Sequence, residues 1–489
     1  MKKIFYFLIS VLCCISSVRL MAQERGDVLA DSLLASYSSG QVANLYISAG
    51  LPPSVINVEY GIEEYKITYQ TIDADGSPTF ATGLLVLPVN PTCPLPLGVY
   101  NHGTFTDYAS MPSNLGQEHM IGVSYATTGY VGVLPDLVGY GSSPGFPNYQ
   151  HARSTGTANV DMLRAARLFC QQKGIDLNGQ IFITGYSQGG HSAMAAHREL
   201  ELYYANEFTV TACAPLSGAY DMSGTQTNFV FSDNHYEGNI YLGFIIMAFK
   251  EIYPDLLPWS FSEVFLPPYD TLLYNHLSAF NTPLGVLNSM LPTDPHDLMQ
   301  PDLLEAFFAD PNHPFRQVLR DNDVYDWAPS APVQMGYCEG DSSIYYQNAI
   351  LARNTFIANG STNVEAVSRG AAFGHGECIL PAILAAKNWF DSLKETCGQT
   401  GIEQSIASGE ANLQVYPNPM AVNTTFMLNL PDKVMSKIDI YDMSGRLVKS
   451  FPRVNVQQYT INKDGLTPGI YLAQVTADRV YRVKLVVNE

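Results

Sequence analysis

Eight short runs rich in β-branched and aromatic residues recur between residues 60 and 371, separated by turn residues and helical patterns. Strand-forming segments that alternate with helices must cross over between parallel neighbours, so this rhythm demands an α/β sheet covered by helices. The runs are YKITYQTI, ATGLLVLPV, PLGVYNHG, GYVGVLPD, QIFITGYS, FTVTACAPLS, APVQMGYC and NVEAVSRGA. They predict a mostly parallel, eight-stranded sheet. Between the fourth and fifth, TGTANVDMLRAARLFCQQKG sets Val160, Leu163, Ala166 and Leu168 on a helical face and stops at Gly174. After the fifth, HSAMAAHRELELYYAN is a second helix.

Residues 218 to 330 break this rhythm with a proline- and aromatic-rich insertion that includes YLGFIIMAFKEIYPDLLPWSF. A bare loop of that length is foreign to a compact domain, so the insertion predicts a helical cap. From 396 to 411 the composition turns small and polar, which reads as a linker. Residues 412 to 489 then alternate with period two between turn signals such as MSGR and TPG, predicting a small β-sandwich. The segment before the linker, 23 to 395, is read as one catalytic domain that carries the cap.

The N-terminus, MKKIFYFLISVLCCISSVRLMAQ, has basic Lys2 and Lys3, an apolar stretch from 4 to 18 and small Ala22 before a cleavage point. Residues 1 to 22 are therefore expected to be a signal peptide. The apolar stretch falls short of the ~20 residues a spanning helix needs, and Cys13 and Cys14 lack the small residues of a lipoprotein signal. No other apolar run is long enough to span a membrane, so the mature chain is expected to have no transmembrane segment. Cleavage would take the formal charge from -19 to -22. So acidic a chain, without a Lys/Arg cluster, argues against nucleic acid as a partner. Cys93, Cys170, Cys213, Cys338, Cys378 and Cys397 remain, enough for up to three disulfides in an oxidising compartment.

Two segments fit the pattern Gly-x-Ser-x-Gly: GSSPG around Ser143 and GYSQG around Ser187. In a strand-to-helix nucleophile elbow, the residue after the serine offers its backbone N–H to the developing oxyanion. Pro144 has no N–H, which sets Ser143 aside as a loop serine. Gln188 has one, QIFIT supplies the strand, and Gly185 and Gly189 leave room for a sharp turn around Ser187.

A serine hydroxyl needs an adjacent base, and the base needs a carboxylate to hold its tautomer. On a sheet of this kind the chain order is serine, acid, histidine. His375, in AAFGHGECILPA, is the one histidine beyond residue 313 and lies after the last strand. His191 and His197 sit on the helix after the serine and are expected to point away from it. For the acid, EGDSSIYY offers Asp341 and Glu339, with Asp341 favoured; Asp323 and Asp326 precede the strand. Backbone N–H groups at Gly103 and Thr104, in YNHGTFTDY, are candidates for the second oxyanion donor beside Gln188.

Taken together, NHGT, GVLPDLVGYGSSPG, ANVDMLRAAR, GYSQGG, EGDSSI and GHGEC resemble the secretory lipase branch of the α/β-hydrolase superfamily over residues 60 to 395. VYPNP, IYDMSGRLV, GLTPGIYLAQV and KLVV resemble the type A C-terminal sorting domain of the type IX secretion system. The resemblances imply an α/β-hydrolase fold with a cap and a C-terminal β-sandwich. They also imply export through the periplasm and outer membrane by the type IX machinery, to a secreted or surface-attached site.

On this reading Ser187, His375 and Asp341 would cleave a small-molecule or lipid ester through an acyl-enzyme, with no metal or organic cofactor needed. Cys338 and Cys378 lie three residues from Asp341 and His375 respectively, and those two must meet in space, so a disulfide between the cysteines is expected. A serine peptidase of the same fold is the alternative enzyme, with Glu251 or Glu263 in the cap to bind a peptide amine. A surface adhesin that keeps the fold without catalysis is the alternative outside enzymes.

Overall fold

The computed structural model describes residues 24–48, 57–232, 236, 238–395, 413–428, 433–442, 446–477 and 480–488. The expected signal peptide and the linker 396–411 lie outside the described residues. The chain divides into two compact units, Met1–Lys394 and Glu395–Glu489.

The first unit is built on β1 (Val28–Tyr37), β2 (Ile62–Ile72), β3 (Pro78–Pro88), β4 (Leu95–Asn101), β5 (Val131–Pro135), β6 (Leu177–Tyr186), β7 (Ala212–Leu216), β8 (Val333–Tyr337) and β9 (Val364–Ser368). They form one sheet in the order β1-β2-β3-β5-β4-β6-β7-β8-β9. Pairing is antiparallel from β1 to β5 and parallel from β5 through β4 and β6 to β9. The eight predicted strands are β2 to β9, and β1 adds a ninth at the edge. Its side chains are mostly exposed and show no clean alternation, so only its backbone pairing to β2 reveals it.

Helices α1 (Ser39–Ser48), α2 (His119–Thr127), α3 (Ala152–Lys173) and α4 (Gln188–Tyr203) follow in chain order. The strand period of two splits the core. Ile181 and Ile183 of β6 face α3 and α4, while Phe182 faces the opposite layer with Val123 of α2. In α3, Val160, Leu163 and Ala166 are buried as expected, but Leu168 is exposed and Phe169 is buried in its stead. Two residues on from Ala166 is about 200° around the helix, which turns Leu168 outward. Gly174 ends α3 at φ 69°, a left-handed conformation that costs glycine little.

Between β7 and β8 lie α5 (Thr227–Val230), α6 (Asn239–Ile252), α7 (Phe261–Val264), α8 (Tyr269–Ala279), α9 (Leu284–Asn288), α10 (Pro301–Ala309) and α11 (Pro314–Asp321). They share an apolar core, centred on Phe244, Phe249, Phe265 and Leu273, with Leu137, Tyr140 and Tyr149 from the segment after β5. Last come α12 (Gln347–Ala358) and α13 (His375–Leu393), the latter packing Ala382, Ala386 and Phe390 on the α2 side of the sheet. Among the described residues no helix is long and apolar enough to cross a membrane.

The second unit holds β10 (Leu413–Tyr416), β11 (Asn423–Leu428), β12 (Met435–Asp442), β13 (Leu447–Val456), β14 (Gln458–Asn462), β15 (Gly469–Thr476) and β16 (Val480–Val487). They pair in two sheets, β10-β11-β14 and β13-β12-β15-β16, all antiparallel. Phe426 from one sheet and Ile438, Ile440 and Val475 from the other share a core, the sandwich that the alternating sequence predicts.

Candidate active site

Ser187 occupies the single residue between β6 and α4, at φ 61° and ψ -117°. A non-glycine residue rarely holds such a φ, and strain of this kind concentrates where a side chain must be aimed. The turn closes this tightly because its neighbours lack side chains. A Cβ on Gly189 would overlap the Asn101 carbonyl, and one on Gly190 the Leu216 carbonyl. The Ser187 N–H donates to Leu216 O at 2.9 Å, which ties the turn to the adjacent strand.

His375 is the first residue of α13. The Glu377 carboxylate accepts from the Gly374 N–H at 3.1 Å, and the Tyr186 hydroxyl donates to the His375 carbonyl at 2.6 Å. Held from both sides, the imidazole sets Nε2 at 2.8 Å from Ser187 Oγ and Nδ1 at 2.7 Å from Asp341 Oδ2. Asp341 is 1% exposed at its side chain and accepts the N–H groups of Ser343 (2.9 Å) and Ile344 (2.8 Å) on Oδ1. The fold thus brings Ser187, His375 and Asp341 together from three separate loops. A hydroxyl beside an imidazole whose far nitrogen meets a buried carboxylate is able to pass its proton to that ring.

The other candidates are engaged elsewhere. Ser143 donates to Phe80 O at 2.8 Å and accepts from the Gly139 N–H, so it holds a loop. Burial pushes His191 down to about 4, keeping it neutral against the Asn322 carbonyl at 2.8 Å; His197 pairs with Glu201. Glu339 accepts from Ser368, and Asp326 from Asn359.

Asp323 accepts the backbone N–H and hydroxyl of Ser223, joining the chain before β8 to the first turn of the cap. Burial pushes its carboxyl up to about 7. Its folded pKa exceeds the unfolded one, so its stabilisation is complete below pH ~4 and is lost as pH rises through about 7. Asp323→Asn should flatten that loss, on the order of 2 kcal/mol between pH 5 and 8 once partial exposure is allowed for. Melting temperatures of both proteins at the two pH values would measure it; an unchanged difference would remove the assignment.

Gln188 opens α4, so its N–H has no carbonyl of its own helix to bond and is free to meet a ligand oxygen. The loop after β4 requires a correction. The Gly103 N–H donates to the Glu118 carboxylate at 3.0 Å and cannot also serve an oxyanion. Burial raises the pKa of that carboxyl. The Thr104 N–H is unclaimed among the described residues, while its hydroxyl bonds that of Tyr149 at 3.1 Å.

Residues 112–392 match the family model of the secretory lipases, more than half of the chain. The chain belongs to the secretory lipase family. Residues 414–488 match the secretion system C-terminal sorting domain, so this secretory lipase is a secreted or cell-surface protein that engages secretion machinery. Among solved structures it is similar to the rice cell wall degrading esterase LipA from Xanthomonas oryzae. The two are 27% identical, with a TM-score of 0.69, over 76% of this chain and 100% of that one. A Legionella pneumophila protein shares 25% identity at the same TM-score over 76% of this chain and all of its own. Candida antarctica lipase A in its closed state shares the fold, at 14% identity and a TM-score of 0.56 over 77% of this chain and 84% of its own. No curated protein matches the chain.

In this secretory lipase, Ser187 opens onto an apolar cavity walled mainly by cap residues, among them Met222, Phe231, Leu242, Phe307 and Phe315. No charged side chain lines it among the described residues. Glu263 is instead spent on capping α7, accepting the Ser260 N–H at 2.7 Å, and Glu251 is exposed on α6.

Cys338 and Cys378 are bonded to each other, closing the sequence between them across the Asp341 and His375 loops. Cys170 and Cys213 are free and buried, and Cys93 is disulfide-bonded. Cys378→Ala should cost roughly 2–4 kcal/mol of stability by freeing that loop in the unfolded chain. A urea titration of wild type and variant would read it; coincident midpoints would show that the link carries no load.

Several supports have no signature in the sequence. Tyr186 reads as an ordinary strand residue, yet it fixes the position of His375. Gln226, inside the insertion, accepts from Asn348 at 3.0 Å and donates to Ser343 O at 2.8 Å, bracing the Asp341 loop. Tyr186 fills a variable position of GYSQG and Gln226 lies in no motif, because each acts through a partner distant in the chain.

Proposed function

We propose that this secreted hydrolase cleaves carboxylic esters, with Ser187 as nucleophile, His375 as general base and acid, and Asp341 as the group that orients the imidazole. Ser187 Oγ attacks the ester carbonyl while Nε2 of His375 takes its proton. The N–H groups of Gln188 and Thr104 receive the oxyanion. The imidazolium, held through Nδ1 by Asp341, returns the proton to the leaving alkoxide. Water then attacks the acyl-enzyme with His375 again as base, which releases the acid and restores the serine.

The observation that carries this reading is the continuous hydrogen-bonded line from Ser187 Oγ through His375 to Asp341, beside an apolar cavity. The cavity also favours esters over peptides. A peptide's free amine would need a carboxylate, and neither Glu251 nor Glu263 lines the cavity. The test joins active-site labelling to turnover. A fluorophosphonate should label the native protein at Ser187, and short p-nitrophenyl esters should turn over while aminoacyl p-nitroanilides do not. Labelling that survives Ser187→Ala would overturn the site, and a native protein that takes no label would favour a non-catalytic adhesin.

A further inference from the structure

The cavity at Ser187 is mainly apolar, and the buried polar groups in its wall are almost all committed to protein partners. Gln226 donates to Ser343 O and accepts from Asn348; the Tyr236 hydroxyl donates to Ser343 O at 3.1 Å; the Thr227 hydroxyl donates to Met222 O at 2.6 Å; and the Tyr149 hydroxyl bonds Thr104. Gln150 is committed at one end only, its amide bonding the Tyr149 hydroxyl. Its side-chain Oε1 is buried and has no partner, although the residue is only 5% exposed and lines the same cavity as Ser187. Its backbone, moreover, sits at φ 59°, in the left-handed region that a long side chain seldom adopts.

Each of these features is unfavourable on its own. A buried acceptor left unpaired forfeits the hydration it had in the unfolded chain, and a left-handed non-glycine residue persists only where its surroundings impose it. Both fall on one residue in the wall of the substrate cavity, and a ligand that brought a donor to Oε1 would relieve the first of them.

We propose that Gln150 selects esters that carry a free hydroxyl on the portion seated in this cavity, the hydroxyl donating to Gln150 Oε1. This rests on the reading of Ser187 as the nucleophile. A cavity with a waiting acceptor discriminates strongly. An ester without the hydroxyl leaves Oε1 buried and unpaired, whereas an ester with it gains a bond in surroundings of low dielectric constant. The selected substrates are hydroxyacyl or hydroxyaryl esters if the acyl half fills the cavity, and monoesters of polyols if the alcohol half does.

Matched ester pairs test this on the full-length protein. For the acyl half, methyl 4-hydroxycinnamate is compared with methyl cinnamate, and methyl 3-hydroxybutyrate with methyl butyrate. For the alcohol half, glyceryl monobutyrate is compared with propyl butyrate. The native protein should prefer the hydroxylated member of at least one pair by tenfold or more in kcat/KM, and the pair identifies the half. Gln150→Met keeps the length and loses the acceptor, so it should cut that preference at least tenfold. Gln150→Asn, which draws the acceptor back by one methylene, should cut it in part. No preference in any pair overturns the proposal even if both variants fail to fold, because that ratio needs only the native protein. A preference that persists in a folded Gln150→Met overturns it as well. Turnover of the plain esters without a preference sinks this inference alone, whereas turnover of no ester at all sinks the reading of Ser187 with it.

Discussion

Ser187→Ala is expected to lower kcat on p-nitrophenyl butyrate by about 10⁶-fold, the loss seen when a serine nucleophile acting as part of a unit is removed. The side chain makes its hydrogen bond to His375 and contributes little to packing, so the fold should be untouched. The melting temperature of the variant should match wild type, and KM should change little, because the hydroxyl acts on the transition state more than on the bound ester. His375→Ala should cost as much, and the double variant hardly more, since either loss already breaks the same proton path. A single variant that retains more than about a hundredth of the activity would mean that another group attacks the ester.

Asp341→Asn should lower kcat by about 10⁴-fold, less than loss of the nucleophile yet without removing any reacting atom. The reason lies in tautomers. Asp341 Oδ2 faces Nδ1 of His375, so the carboxylate holds the proton on Nδ1 and leaves Nε2 as the acceptor that faces Ser187. An asparagine can keep its oxygen toward the Ser343 and Ile344 N–H groups and would then present NH₂ to Nδ1. That arrangement puts the ring proton on Nε2, where it cannot accept from the serine. Loss of activity with an unchanged melting temperature would support the orienting role. A variant with near wild-type turnover would move the acid to another residue, Glu339 being the next to replace.

Much of this was legible from the order of residues. The eight runs that became β2 to β9 are local patterns, since a strand's alternation and a helix's stripe are set by near neighbours. The elbow is legible for the same reason, because Gly185 and Gly189 flank Ser187 within five residues. Pro144 removes the decoy serine through a missing N–H, a covalent fact that needs no fold. His375 and Asp341 could be selected because the crossover order of a parallel sheet dictates which loops reach its C-terminal edge.

What failed to show in the sequence depends on partners far along the chain. Edge strand β1 is made by backbone pairing with β2, to which its exposed side chains give no clue. Gly103 offers an N–H on paper, and only the folded chain shows Glu118 occupying it. Tyr186 and Gln226 matter through contacts with loops more than a hundred residues away. The cavity wall and the unpaired Oε1 of Gln150 arise where the cap meets the sheet domain, so no window of sequence contains them. Strands β2 to β9, the elbow and the choice of Ser187, Asp341 and His375 as candidates could be read without coordinates, because short-range sterics and chain order suffice for these. Which donors are free, and what shape and polarity surround Ser187, follow from the folded chain alone, because a hydrogen bond is claimed or left open by whatever distant residues come within about 3 Å.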